Sequence, residues 1–169
     1  MTLRLTTCIL ALALLCSLAI QPKQRVVAQT AEPVLVVISA ALGATDISLA
    51  KLRQVFEGTV TELNGKRLIP FNLMVGTSAR AVIDKVLFGL TQERIPYYWI
   101  DRKVREGIDA PRVLPSREMA LRVAASLKGA IAYVDADPSI VPATLRVLSV
   151  DGIRPTAPDY PLRSVPARE

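Results

Sequence analysis

The run Val34-Leu35-Val36-Val37-Ile38 constrains this chain more than any other segment. It holds no polar residue, and four of its five members are β-branched. A strand with one wet face alternates apolar and polar side chains. A strand with none must be covered on both sides, so a sheet layered with helices is expected.

The rest of the chain supplies those layers. Ser48 can cap a helix whose apolar positions Leu49, Leu52, Val55 and Phe56 share one face, with Gly58 as its stop. Asn64-Gly65 marks a turn. Leu68 to Val75 reads as a second strand, and Pro70 within it places its start near Phe71 or the strand at an edge. Gly76-Thr77-Ser78 opens a helix to about Leu87, with Val82, Ile83, Val86 and Leu87 inward. A further helical stretch from Thr91 carries Tyr97, Tyr98 and Trp99 and is interrupted at Pro96. Arg112-Val113-Leu114 is a short strand. Ser116 caps a helix with Met119, Leu121, Val123, Ala124 and Leu127 inward and Gly129 as stop. Ala130–Val134 and Leu145–Val150 complete the strands. The order is β-α-β-α-α-β-α-β-β, an α/β arrangement with one sheet.

Both ends differ in composition from this middle. Met1-Thr2-Leu3-Arg4 precedes an apolar run from Ile9 to Ile20. That run is shorter than the roughly 20 residues a bilayer span needs, and it has the form of a secretory signal. Val26-Val27-Ala28 offers small residues for cleavage after Ala28. The expected organisation is a signal peptide at 1–28, a flexible lead at 29–33, an α/β domain at 34–152 and a proline-rich tail at 153–169. The tail has few core candidates and is expected to wrap the surface or stay mobile. A periplasmic or secreted location follows, with no stable membrane span once the signal is removed.

Charge and cysteine counts change with that cut. The whole chain has 21 basic and 15 acidic residues, a net charge of +6. Arg4, Lys23 and Arg25 fall in the signal, which leaves 18 basic against 15 acidic residues. A net +3 is a poor footprint for nucleic acid. Cys8 and Cys16 leave as well, so no disulfide framework is available. The chain contains no histidine, which removes Ser-His-Asp and Cys-His catalysis and histidine metal sites.

Three segments resemble one family. Asp46 to Gly58, DISLAKLRQVFEG, is similar to the "slsleeLrdiFlG" helix of phosphate ABC transporter substrate-binding proteins. Gly76-Thr77-Ser78-Ala79-Arg80 stands where those proteins carry a "DGSGT" turn. Gly129 to Val134, GAIAYV, is similar to their "GAIGYV" strand, and Tyr98-Trp99 fits the aromatic pair of the small single-lobe members. The resemblance covers residues 34–152. It implies a type II periplasmic-binding-protein fold, represented here by a single lobe; full-length members close two lobes on phosphate, and their segment preceding this lobe has no counterpart after the signal. The family turn has an acidic residue before its glycine and an arginine two positions earlier. Val75 and Leu73 stand there in this chain.

Read for their own chemistry, Gly76 to Arg80 offer a helix start: unpaired N–H groups, about half a positive charge, two hydroxyls and a glycine that lets an anion approach. Arg80 adds a charge-assisted contact if it folds back to the turn. Ser39, ending the first strand, is expected at the same sheet edge. Ligand-binding candidates are therefore Ser39, Gly76, Thr77, Ser78 and Arg80; the same hydroxyls also suit an N-cap. Asp135 and Asp137 could form a carboxylate pair, but with Pro138 next they read as a strand-exit turn. Tyr97, Tyr98 and Trp99 read as core rather than a stacking platform.

These residues support an exported, non-enzymatic solute-binding-like domain for an inorganic anion such as phosphate. It would require no cofactor and no metal, and it could work with an envelope protein or transporter. The alternative is a structural or interaction module whose ligand site has decayed, as Leu73 and Val75 suggest.

Overall fold

The computed structural model describes residues 32–163. The expected signal peptide and most of the lead lie outside the described residues, as do positions 164–169.

The apolar run forms β1 (Val34–Ser39), and Val34 to Ile38 are buried completely or nearly so. After a 3-10 turn at Ala40–Leu42 come a two-residue strand β2 (Asp46–Ile47) and helix α1 (Leu49–Phe56). The Ser48 side chain accepts the Lys51 N–H at 3.2 Å, as an N-cap does. Leu52, Val55 and Phe56 are buried, and Leu49 is half-buried.

Asn64-Gly65 joins β3 (Glu62–Leu63) to β4 (Lys66–Arg67) in a small antiparallel hairpin. Both turn residues have positive φ, 52° and 72°, which is why Asn-Gly stands there.

Strand β5 (Ile69–Leu73) follows, then helix α2 (Ser78–Ile83), which continues as a π-helical turn over Asp84–Phe88. Helix α3 (Ile95–Glu106) begins with Pro96 in its first turn, a tolerated place, so the proline starts the helix instead of splitting it. Strand β6 (Arg112–Leu114), helix α4 (Arg117–Ser126), strand β7 (Ala130–Asp135), a 3-10 turn at Pro138–Ile140 and strand β8 (Leu145–Val150) complete the order.

Six strands form one mixed sheet in the order β2-β8-β1-β7-β5-β6. β1 lies between two antiparallel neighbours, β7 and β8. β5 runs parallel to both β6 and β7. The chain therefore leaves β5 outward to β6 through α2 and α3, and returns from β6 over β5 to β7 through α4. Right-handed crossovers in opposite directions place these helices on opposite faces of the sheet. The covering that the Val34–Ile38 run demands is thereby met.

Pro70 is in an interior strand, not at an edge. Ile69 donates its N–H to Gly129 O on the β7 side at 2.8 Å, so the Pro70 nitrogen faces the other way. On that side β6 begins only opposite Phe71. No ladder bond is lost.

Two expectations about the core change. On α4 the buried residues are Ala120 and Ala124; Met119, Leu121 and Val123 are half-buried. Small side chains face the sheet and the larger ones flank them. Leu127 is 40% exposed because it caps the helix in an extended conformation, off the helical face. The tail also contributes core, contrary to its polar composition. Tyr160 and Leu162 are buried. Tyr160 Oη donates to Val34 O at 3.1 Å, and Val34 N donates to Leu162 O at 2.7 Å. The proline-rich segment is thus pinned to the start of β1.

Candidate functional site

Because β5, β6 and β7 are parallel, their C-terminal ends share one sheet edge. Ligands of open α/β sheets bind at such edges. Here β5 leads through Gly76-Thr77 into α2, β6 leads through Ser116 into α4, and β7 ends at Asp135. Two helix starts, two carboxylates, Asp135 and Glu118, and one arginine, Arg117, meet there.

The turn after β5 is locally determined. Gly76 has φ 96°, a conformation that side-chain-bearing residues rarely adopt. Its N–H donates to Gln92 Oε1 at 3.2 Å, and Gln92 Nε2 donates to Thr77 O at 3.4 Å. Thr77 is the N-cap of α2: its Oγ1 accepts Arg80 N at 3.3 Å and donates to Met74 O at 2.9 Å. Of the two expected hydroxyls, this one is therefore committed to the fold.

Ser78 Oγ donates to Asp135 Oδ2 at 2.5 Å. Arg117 Nη1 donates to Asp135 O at 2.9 Å, while its Nε lies 3.3 Å from Glu118 Oε1. The Glu118 carboxyl is held below its ordinary range, by its own backbone N–H first and the Ser116 hydroxyl second. Ser116 Oγ in turn accepts Met119 N at 3.2 Å.

Arg80 does fold back toward the turn, but it is buried, not offered to a ligand. Its Nε donates to both Asp84 oxygens, at 2.7 and 2.8 Å, and its Nη1 donates to Leu73 O at 3.0 Å. Burial pushes the Asp84 carboxyl up from its ordinary range, and Arg80 opposes that shift. Tyr133 caps the same region: its Oη donates to Asn72 Oδ1 at 3.2 Å and accepts Leu73 N at 3.1 Å. Burial raises the Tyr133 phenol far above its usual value.

Ser39 is not part of this arrangement. β1 runs antiparallel to β7, and β7 runs parallel to β5, so the C-terminal end of β1 lies at the opposite sheet edge. There Ser39 lines a cavity of about 230 Å³ with Leu42, Lys66 and Lys128. The expectation of a shared edge required a β1 parallel to β5. Five apolar residues in a row read the same in either direction.

The structure thus brings Gly76, Thr77 and Ser78 together with Asp135 and Arg117, with Arg80 beneath them and Ser39 apart. Asp137, in contrast, caps the following 3-10 turn by accepting Ser139 N at 2.8 Å. Trp99 is buried, Tyr98 is half-buried against Phe88 and Trp99, and Tyr97 is 71% exposed, so only part of the aromatic trio is core. No group of three or more metal-ligating side chains occurs among the described residues. Nor does any helix among them have the length and apolarity to cross a membrane.

The architecture is that of a periplasmic-binding-protein-like α/β lobe. Among solved structures, the chain is similar to PstS from Borrelia burgdorferi, at 14% identity and TM-score 0.61, over 80% of this chain and 56% of that one. An ABC-type phosphate transport receptor from Vibrio cholerae matches at 16% identity and TM-score 0.58, over 78% and 54%. A Clostridium perfringens structure described as a phosphate ABC transporter substrate-binding protein with bound phosphate matches at 14% and 0.58, over 74% and 47%. The chain spans about half the length of the structures it matches. No protein-family model matches it, and no curated protein matches it in sequence.

Proposed function

We propose that this chain is an exported, non-enzymatic solute-binding-like domain that takes an inorganic oxyanion, phosphate by preference, at the edge formed by Gly76–Ser78, Arg117 and Asp135. The observation that carries the reading is the convergence of two helix starts and an arginine at the ends of three parallel strands, in a fold shared with proteins described as phosphate-transport receptors or phosphate-transporter substrate-binding proteins. The first-turn N–H groups of Ser78 and Ala79 point to this edge, and Arg117 supplies positive charge. Asp135 Oδ2 accepts the hydrogen bond of the Ser78 hydroxyl, and a carboxylate at this place would also accept one from the O–H of a hydrogen-phosphate. One lobe supplies one wall, so weak binding is expected unless a second copy, an envelope protein or a transporter component supplies the other.

Isothermal titration with phosphate and sulfate tests this. Binding should weaken in Ser78→Ala and in Arg117→Gln. No heat at millimolar phosphate, or heat unchanged in both variants, refutes the ligand.

A second reading, a protein-interaction module, is favoured by one observation. Helix α3 is amphipathic twice. Ile95 and Trp99 face the core, while Tyr97, Ile100 and Val104 share the opposite side and are 71%, 61% and 79% exposed. Cross-linking in envelope extract that depends on Tyr97 and Val104, combined with no anion binding, would select this reading.

A further inference from the structure

A second polar cavity lies away from the β5–β7 edge, beside the last strand. β2 pairs with β8 only at Ser149 and Val150, so the earlier part of β8 has no neighbour on that side. The space left open is about 530 Å³, within the roughly 300–1,000 Å³ typical of small-molecule sites. Arg146 and Arg154 line it from two different segments, β8 and the turn that follows. Thr45 and Thr156 add hydroxyls, and Val147 and Pro155 add apolar wall.

Neither guanidinium group has a hydrogen bond or ion pair among the described residues. Arg80, Arg102, Arg105 and Arg117 each have a carboxylate partner. The nearby carboxylates are already engaged and do not line the cavity. Asp46 Oδ1 accepts Ser149 Oγ at 2.5 Å and Gly152 N at 2.9 Å. Asp151 Oδ1 accepts Leu49 N at 3.0 Å. Two guanidinium groups without a carboxylate partner, lining one concave surface, suit an oxyanion, since each presents a planar set of N–H donors. The volume is far more than an inorganic anion fills, and the apolar wall offers contact to an uncharged body.

We propose that this cavity binds a small organic oxyanion, with its phosphate or carboxylate head between Arg146 and Arg154 and its body against Val147 and Pro155. The site is independent of the Gly76–Ser78 edge and stands whether or not that edge binds phosphate.

The test is calorimetric titration of the full chain with glucose 6-phosphate and citrate, alongside glucose and inorganic phosphate. Counting only the binding that the Arg146→Gln/Arg154→Gln double variant loses, at least one organic anion should bind about tenfold more tightly than inorganic phosphate, with no binding of glucose. Arg146→Gln and Arg154→Gln should each weaken that binding by roughly 10- to 100-fold, the range for losing a charge-assisted contact. Arg122→Gln, which removes the same charge from an exposed position on α4, should leave it unchanged. Both cavity arginines are exposed and unpaired, so the variants should melt as the native protein does. The proposal is overturned if neither organic anion binds at millimolar concentration. It is also overturned if inorganic phosphate binds equally well through these two arginines, as its loss in the Arg146→Gln/Arg154→Gln double variant would show, if that double variant keeps native affinity for the organic anion, or if Arg122→Gln weakens binding as much.

Discussion

Replacing Arg80 by methionine separates a structural arginine from a ligand-binding one. The guanidinium and the Asp84 carboxylate are 4% and 1% exposed at the side chain and 2.7 Å apart. Removing Arg80 strands a buried carboxylate and leaves Leu73 O without its donor. Breaking a buried pair from one side costs about 3–5 kcal/mol. The Arg80→Met/Asp84→Leu double variant loses both charges and retains only the orphaned carbonyl, a cost of about 1–3 kcal/mol. The two single losses should therefore fail to add by about 3 kcal/mol or more. A pH signature accompanies them. With Arg80 gone, only burial acts on Asp84, so its folded pKa rises further above the unfolded value. The folded state then holds a proton that the unfolded chain releases, and stability falls as pH climbs from the ordinary aspartate range through the folded pKa. Urea unfolding at pH 4.5 and 7.5, followed by the fluorescence of Trp99, the sole tryptophan, measures both effects. An Arg80→Met protein within about 1 kcal/mol of native at pH 7.5, or a double variant weaker than either single one, would refute the reasoning.

Other expectations follow from the same geometry. Leu162→Ala should cost about 2–5 kcal/mol in chemical denaturation because the residue is fully buried, although it lies in the proline-rich tail. Gly129→Ala should cost about 2 kcal/mol or more: φ there is 87°, and a Cβ would press on the Arg67 carbonyl; a native melting temperature would contradict this. Burial raises the Tyr133 and Tyr160 phenols far above their usual range. The unfolded chain ionises them near pH 10 and the folded one does not, so stability should drop as pH rises above about 10. Absorbance at 295 nm should then report these two phenols only as the protein unfolds. Ser116→Ala should lower stability by about 1 kcal/mol through loss of the α4 cap.

Much of this fold is legible in the sequence because its signals are local. An unbroken apolar run with four β-branched members, Ser48 and Ser116 before apolar faces, and the Asn64-Gly65 pair each specify their element with little help from elsewhere. Strand direction is not local. Nothing in Val34–Ile38 states that β1 opposes β5, and that single fact moves Ser39 to the far edge. Buried charge is equally hidden: Arg80 and Asp84 look like a solvated i,i+4 pair until the sheet covers them. Asp135 has a weak signal, since it ends a strand on the face of Tyr133, but its meeting with Ser78 depends on β5 lying beside β7. Gln92 has none. In the tail, Tyr160 and Leu162 are two of a few scattered apolar residues against a background of proline, with no periodicity to mark them as core.

The pinning of that tail has a topological consequence. Pro33 bridges to Arg163, so the described chain enters and leaves the lobe at one point. A body whose entrance and exit coincide behaves as a cassette. It can be spliced into a longer polypeptide, or lifted out of one, without rethreading any strand. A lobe spanning about half the length of the structures it matches has the connectivity that such an exchange requires, and a circular permutant joined at this seam and opened at Asn64-Gly65 should keep the same sheet.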